Sequence, residues 1–203
     1  ESGDTQTNGN LSGEEAAADW SYFFDPDSSP LNPYYQNSIE LQPLDNLTKI
    51  WKDGQLIVDE DNCFRLNACN LMSYLFIVQD YTGYNFSLAE IASIITYGQE
   101  TANSSKISEM SLLNNYDVRN PDVIMNKAFE LAGHPELTAT AGHNIGDLPC
   151  RTYTNIKVKT DFGNEHRVVG DFEGNLIYNP WKGGDIKSII ESNKVYVHGV
   201  MKK

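Results

Sequence analysis

The chain has 203 residues and a formal charge of −13 at neutral pH, which suits one domain with a buried core. Its 40% hydrophobic and 11% aromatic content is globular in character, and no apolar run approaches the roughly 18 residues that span a bilayer. The acidic balance argues against nucleic acid, whose affinity rests on clustered Lys and Arg, and no Walker, Rossmann or zinc-ribbon spacing occurs.

Residues 1–19, "ESGDTQTNGNLSGEEAAAD", are polar, acidic and rich in Gly, Thr, Asn and Ser. Such a stretch has too little apolar area to order itself and reads as a flexible leader. A polar leader that starts at Glu1 fits an exported bacterial protein. It would be secreted, periplasmic or held at the surface by a lipid anchor ahead of residue 1. The remaining residues, 20–203, read as a single domain. Within it, 20–60 carries Pro26, Pro30, Pro33 and Pro43 among many aromatics and reads as an irregular covering segment. Asp25-Pro26-Asp27 and Asp59-Glu60-Asp61-Asn62 resemble calcium ligands in type only. They lack the glycine and the distal glutamate of an EF-hand loop and read as solvated loops.

A helical pattern begins near Asn62. Phe64, Ala68, Leu71, Met72, Leu75 and Phe76 share a stripe that Leu66, Cys69 and Val78 widen, which predicts a central, buried helix. "SLAEIASIITYG" predicts a second, with Ser87 and Glu90 as a capping box and Gly98 as a stop. "NPDVIMNKAFELAG" predicts a third, capped by Asn120, with Pro121 in the first turn and Gly133 at the end.

After Gly142 the apolar period shortens. "RTYTNIKVKT", "EHRVVGDF", "NLIYNPW" and "NKVYVHGV" are short and rich in β-branched and aromatic residues, with "DFGN" and "FEGN" as turns. Helices first and an antiparallel meander second predict an α+β fold, helices packed on one sheet.

Three cysteines, Cys63, Cys69 and Cys150, are an odd number. In one continuous helix, Cys63 and Cys69 would stand roughly 9 Å apart along the axis, too far for a disulfide. Cys69 and Cys150 read as small buried apolar residues. Cys63 differs, because at the amino end of a helix the first-turn amides and the dipole favour a thiolate. A thiolate nucleophile needs a base, and the base needs a third group to hold its ring. His166 opens a strand and could supply the base. Asn179, on the following strand, could fix its tautomer. By alternation Val168 and Gly170 share the His166 face, so that face is apolar and inward.

A cysteine opening a central helix, then "H-x-V-V-G…I-Y-N-P-W-x-G-G", resembles papain-fold cysteine peptidases, and C39-like peptidases most. The likeness covers roughly residues 55 to 200 and keeps the order Cys, His, Asn. It implies a papain-like domain whose catalytic residues are Cys63, His166 and Asn179, needing no metal or organic cofactor and acting on a peptide or protein substrate. It also implies an oxyanion hole made by the Cys63 amide with Gln55 or Asn62. The family pattern has Asp-Cys-Gly where this chain has Asn62-Cys63-Phe64, and its Gln stands about six residues before the nucleophile, whereas Gln55 is eight before it.

The other histidines point to less. His134 and His143 lie in loops, His198 alternates along the last strand, and a His166/His198/Cys150 metal site has no usual ligand spacing. Two further readings stay open: an exported non-catalytic binding or adhesion module on the same fold, and an NlpC/P60-like cell-wall endopeptidase, whose Asp-Cys-Ser-Gly signature is absent.

Overall fold

The helices precede the sheet along the chain, and the boundary between them falls at a glycine turn. In the computed structural model the described residues are 36–37, 39–47, 49–58, 63–100, 110–113, 115–142, 151–160, 165–171, 173, 175–181, 186–189 and 195–202. All of them belong to the compact unit Leu31–Lys203. The leader 1–19 lies outside the described residues, as do both calcium-like stretches.

A 3-10 helix, Ile39–Leu47, and a hairpin of β1 (Lys49–Lys52) and β2 (Gln55–Val58) come first. The hairpin turns at Asp53 and Gly54, both at positive φ. Part of the segment predicted to be irregular is therefore regular, despite Pro43 inside the 3-10 helix.

The predicted central helix is two pieces. α1 (Phe64–Asn67) has Cys63 as its extended N-cap, Ala68 interrupts it at φ −83° and ψ 10°, and α2 runs Cys69–Thr82. Cys63 and Cys69 thus do not share one unbroken helix, and Cys69 opens the longer piece. The stripe itself is buried: Phe64, Ala68, Leu71, Met72 and Leu75 are at most 1% exposed. Leu66, predicted to widen it, is 52% exposed on the short α1 turn. α2 is buried continuously from Leu71 to Gln79 and ends at Gly83, whose left-handed φ of 71° suits a residue without Cβ.

α3 (Leu88–Glu100) begins with the capping box: Ser87 N–H donates to Glu90 Oε2 at 2.7 Å and Glu90 N–H to Ser87 Oγ at 3.3 Å. Gly98 does not stop this helix. A Cβ there would lie 2.6 Å from Ile124 Cδ1 and 2.8 Å from Leu112 Cβ, so the glycine serves a close crossing. α4 (Pro121–Leu131) is capped by Asn120, whose side chain accepts from Val123 N–H, and Gly133 follows its end at φ 83°.

The sheet begins earlier than the period change suggests, at β3 (Leu137–Gly142). β4 (Arg151–Thr160), β5 (Glu165–Asp171) and β6 (Leu176–Tyr178) form an antiparallel meander. β7 (Ile186–Ile189) and β8 (Val195–Lys202) complete an order β3-β8-β4-β5-β6, with β7 also paired to β4. The return of β8 between β3 and β4 breaks the pure meander that local turns alone predict. The fold is α+β.

β3, β4 and β5 show one face to the helices. α2 packs on β5 and β4, and α4 on β3 and α2. Tyr153, Val169, Tyr178 and Val197 join the helical residues in the main core. Tyr178 stacks on Phe76 with ring centroids 4.1 Å apart, Tyr153 donates to Asp80 at 2.6 Å, and Asn155 donates to Asn70 at 2.9 Å. On the opposite face Ile156, Val158 and Val168 form a second cluster. Among the described residues no helix is long and apolar enough to cross a membrane.

Candidate functional site

His166 pairs with Val158 across β4 and is 7% exposed, on the face of the second cluster and turned away from α2. It is therefore desolvated, which disfavours the charged imidazolium. Its Nε2 lies 2.8 Å from Asn179 Oδ1. The same oxygen accepts the Trp181 backbone N–H at 3.0 Å. A backbone N–H can only donate, so the Asn179 amide must present oxygen at that point. The ring must then donate from Nε2, and neutral His166 keeps Nδ1 as an acceptor. Burial lowers the His166 pKa below the ordinary imidazole value, and the Asn179 hydrogen bond opposes that shift. The outcome is an uncharged, oriented imidazole, and among the described residues no hydrogen bond joins it to Cys63.

The hairpin register explains how Asn179 reaches the ring. β5 and β6 pair Val169 with Tyr178 but Gly170 with Leu176, a shift of one residue. Tyr178 therefore faces Phe76 in the main core, and Asn179, the next residue, falls on the His166 face.

Cys63 is 4% exposed at the head of α1, where its carbonyl accepts from the Leu66 and Asn67 amides, both at 3.2 Å. Asn67 Nδ2 adds a third donor to that oxygen at 3.2 Å. The turn is tied on both sides of Arg65. Asp45 Oδ1 accepts the Arg65 N–H at 2.8 Å, and Gln36 Nε2 donates to the Arg65 carbonyl at 2.9 Å. Gln36 also sends its backbone N–H to the Pro180 carbonyl at 2.8 Å. One residue thus touches the turn after Cys63 and the turn after Asn179. No motif marks Gln36 in the sequence. It stands 27 positions before Cys63, and only the fold brings the two segments together.

The remaining predicted residues fall elsewhere. Gln55 is exposed on the β1–β2 hairpin, opposite Lys52. Its place in that register follows from the Asp53-Gly54 turn. Asn62, His143 and Cys150 lie outside the described residues. His134 is exposed and pairs with Glu136 at 3.1 Å, and the His198 backbone pairs with Thr140 and Arg151. Cys63 and Cys69 are both free thiols. Cys69, expected to be buried, is only half-buried; burial raises its thiol pKa, against backbone and charge interactions with Arg167. Among the described residues no group of three His, Cys, Asp or Glu side chains could hold a metal ion.

Comparison with protein-family models, with curated proteins and with solved structures finds no match for this chain.

Proposed function

We propose that the protein is a thiol-dependent hydrolase of papain-like fold, close in plan to C39-like peptidases, that cleaves peptide or amide bonds. The observation that carries this reading is the 2.8 Å hydrogen bond from His166 Nε2 to Asn179 Oδ1, with the oxygen's identity fixed by the Trp181 amide. A merely structural histidine needs any acceptor. This one bonds Asn179 through Nε2, which leaves Nδ1 without a hydrogen-bond partner among the described residues, in a buried setting that lowers its pKa.

In the proposed reaction Cys63 Sγ attacks the carbonyl carbon of the scissile bond while His166 Nδ1 takes the thiol proton. The tetrahedral oxyanion forms beside the Cys63 backbone N–H. It collapses as His166 returns the proton to the leaving amine, which leaves a thioester on Cys63. Water, deprotonated by His166, then releases the acid and restores the thiol. Asn179 orients the ring throughout.

The test is competitive alkylation with iodoacetamide between pH 5.5 and 8.5, read residue by residue by mass spectrometry. Cys63 should label well ahead of Cys69, and His166→Ala should abolish the advantage. Slow labelling of both thiols, unchanged by His166→Ala, would leave the non-catalytic binding module as the better reading.

A further inference from the structure

Gln36 is 2% exposed, yet it is an amide on a chain whose other deeply buried side chains are mostly apolar. Burying an amide for packing alone is unfavourable by about 1–3 kcal/mol unless its hydrogen bonds are met. Its bonds run to two backbone carbonyls far away in sequence, Arg65 at 2.9 Å through Nε2 and Pro180 at 2.8 Å through the main-chain N–H. Those carbonyls belong to residues two past Cys63 and one past Asn179. The Gln36 Oε1 has no hydrogen-bond partner among the described residues, so the side chain is held there through its donor.

The Arg65 carbonyl lies in α1, just ahead of the interruption at Ala68. A side-chain donor at such a break fixes where the preceding turn points. From this we infer that Gln36 is a positioning residue for the site, locking the Cys63 turn to the turn that carries Asn179. The inference rests on the thiol-hydrolase reading and adds to it the element that ties the cysteine turn to the turn after Asn179. Gln36 does not touch the reacting atoms. It acts by limiting how far the cysteine turn drifts from the hairpin end, and a drift of about 1 Å can cost on the order of 10²-fold in rate.

Two substitutions separate the roles. Gln36→Met keeps the length and the main-chain bond to Pro180 but removes the donor to Arg65. Gln36→Glu keeps the shape and puts an acceptor where the donor was. For each, the rate of Cys63 alkylation by iodoacetamide is followed from pH 5.5 to 8.5 beside a thermal melt. A thiol left to itself is only about 0.3% thiolate at pH 6. Both variants should therefore lose at least about tenfold in Cys63 labelling at pH 6, and their pH profiles should move toward that of an isolated thiol, while both remain folded. Lower melting temperatures with an unchanged pH profile would overturn the positioning role. Failure of both variants to fold would also count against it, because a positioning residue is separable from the fold. If wild-type Cys63 labels no faster than Cys63 in His166→Ala, the hydrolase reading itself fails. If wild-type labelling is fast and both Gln36 variants match it, only the Gln36 assignment fails.

Discussion

Replacing Asn179 by Ala removes one oxygen that serves two donors, the His166 Nε2–H at 2.8 Å and the Trp181 N–H at 3.0 Å. His166 is 7% exposed, so water replaces its lost acceptor poorly, and an unsatisfied buried donor costs about 1–3 kcal/mol. Trp181 is partly exposed, and its amide can turn to solvent at smaller cost. A net loss of about 2 kcal/mol should lower the melting temperature by roughly 4–8 °C in a chain of this size. The kinetic effect has a different origin. Without the acceptor the ring can rotate and exchange tautomers, so Nδ1 is a free base only part of the time. Enforcing the wrong tautomer in a serine triad costs about 10⁴-fold. Merely releasing the ring should cost less, on the order of 10–10²-fold. Asn179→Asp provides the sign. A carboxylate accepts both hydrogen bonds and stabilises imidazolium, so it should raise the His166 pKa and move the acid limb of Cys63 alkylation to higher pH. Asn179→Ala removes the contribution that opposes burial and should move that limb lower. Wild-type labelling and an unmoved pH limb in both variants would refute the orienting role.

The lowered His166 pKa also predicts a stability profile. The folded state binds this proton less readily than the unfolded chain, so the contribution is complete above about pH 6.5 and is lost as pH falls below it, by at most about 1.4 kcal/mol per pH unit. Urea midpoints from pH 7.5 to 5 should fall more steeply in wild type than in His166→Gln; parallel curves would contradict it. Gly98→Ala should destabilise by about 1–3 kcal/mol, although alanine favours helices, because its Cβ would meet Ile124 Cδ1 at 2.6 Å and Leu112 Cβ at 2.8 Å. A denaturant midpoint equal to or above wild type would show that this crossing relaxes freely.

Local periodicity carried most of the fold. The stripe from Phe64 to Phe76 is buried as the 3.6-residue pattern requires, and the Ser87–Glu90 and Asn120 caps lie where their side chains can reach unpaired amides. What escaped it depends on partners distant in sequence. Gly98 reads as a helix stop from its own backbone freedom, whereas its place is set by Ile124 and Leu112 on other segments. "LTATAG" is too short and too small in its side chains to announce a strand. β3 exists because β8 returns to pair with it. The break at Ala68 is likewise silent in a residue that favours helices.

The site divides along the same line. His166 and Asn179 stand 13 residues apart on consecutive strands, and a symmetrical hairpin would bring their backbones close without deciding which side each faces. The decision is made by the one-residue shift beside Ile177. Carried forward in the register of Gly170 with Leu176, Tyr178 would fall opposite Val168 and Asn179 opposite Arg167, on the α2 face and away from the ring. The stacking of Tyr178 on Phe76 at 4.1 Å favours the shifted register, and with it Asn179 turns to the His166 side. An aromatic pair in the main core is worth only about 0.5–1.5 kcal/mol beyond its buried area. Here it also selects the face on which the carboxamide stands, so the hydrogen bond to His166 depends on packing at Phe76, a residue on α2 that touches neither member of the pair through any polar atom.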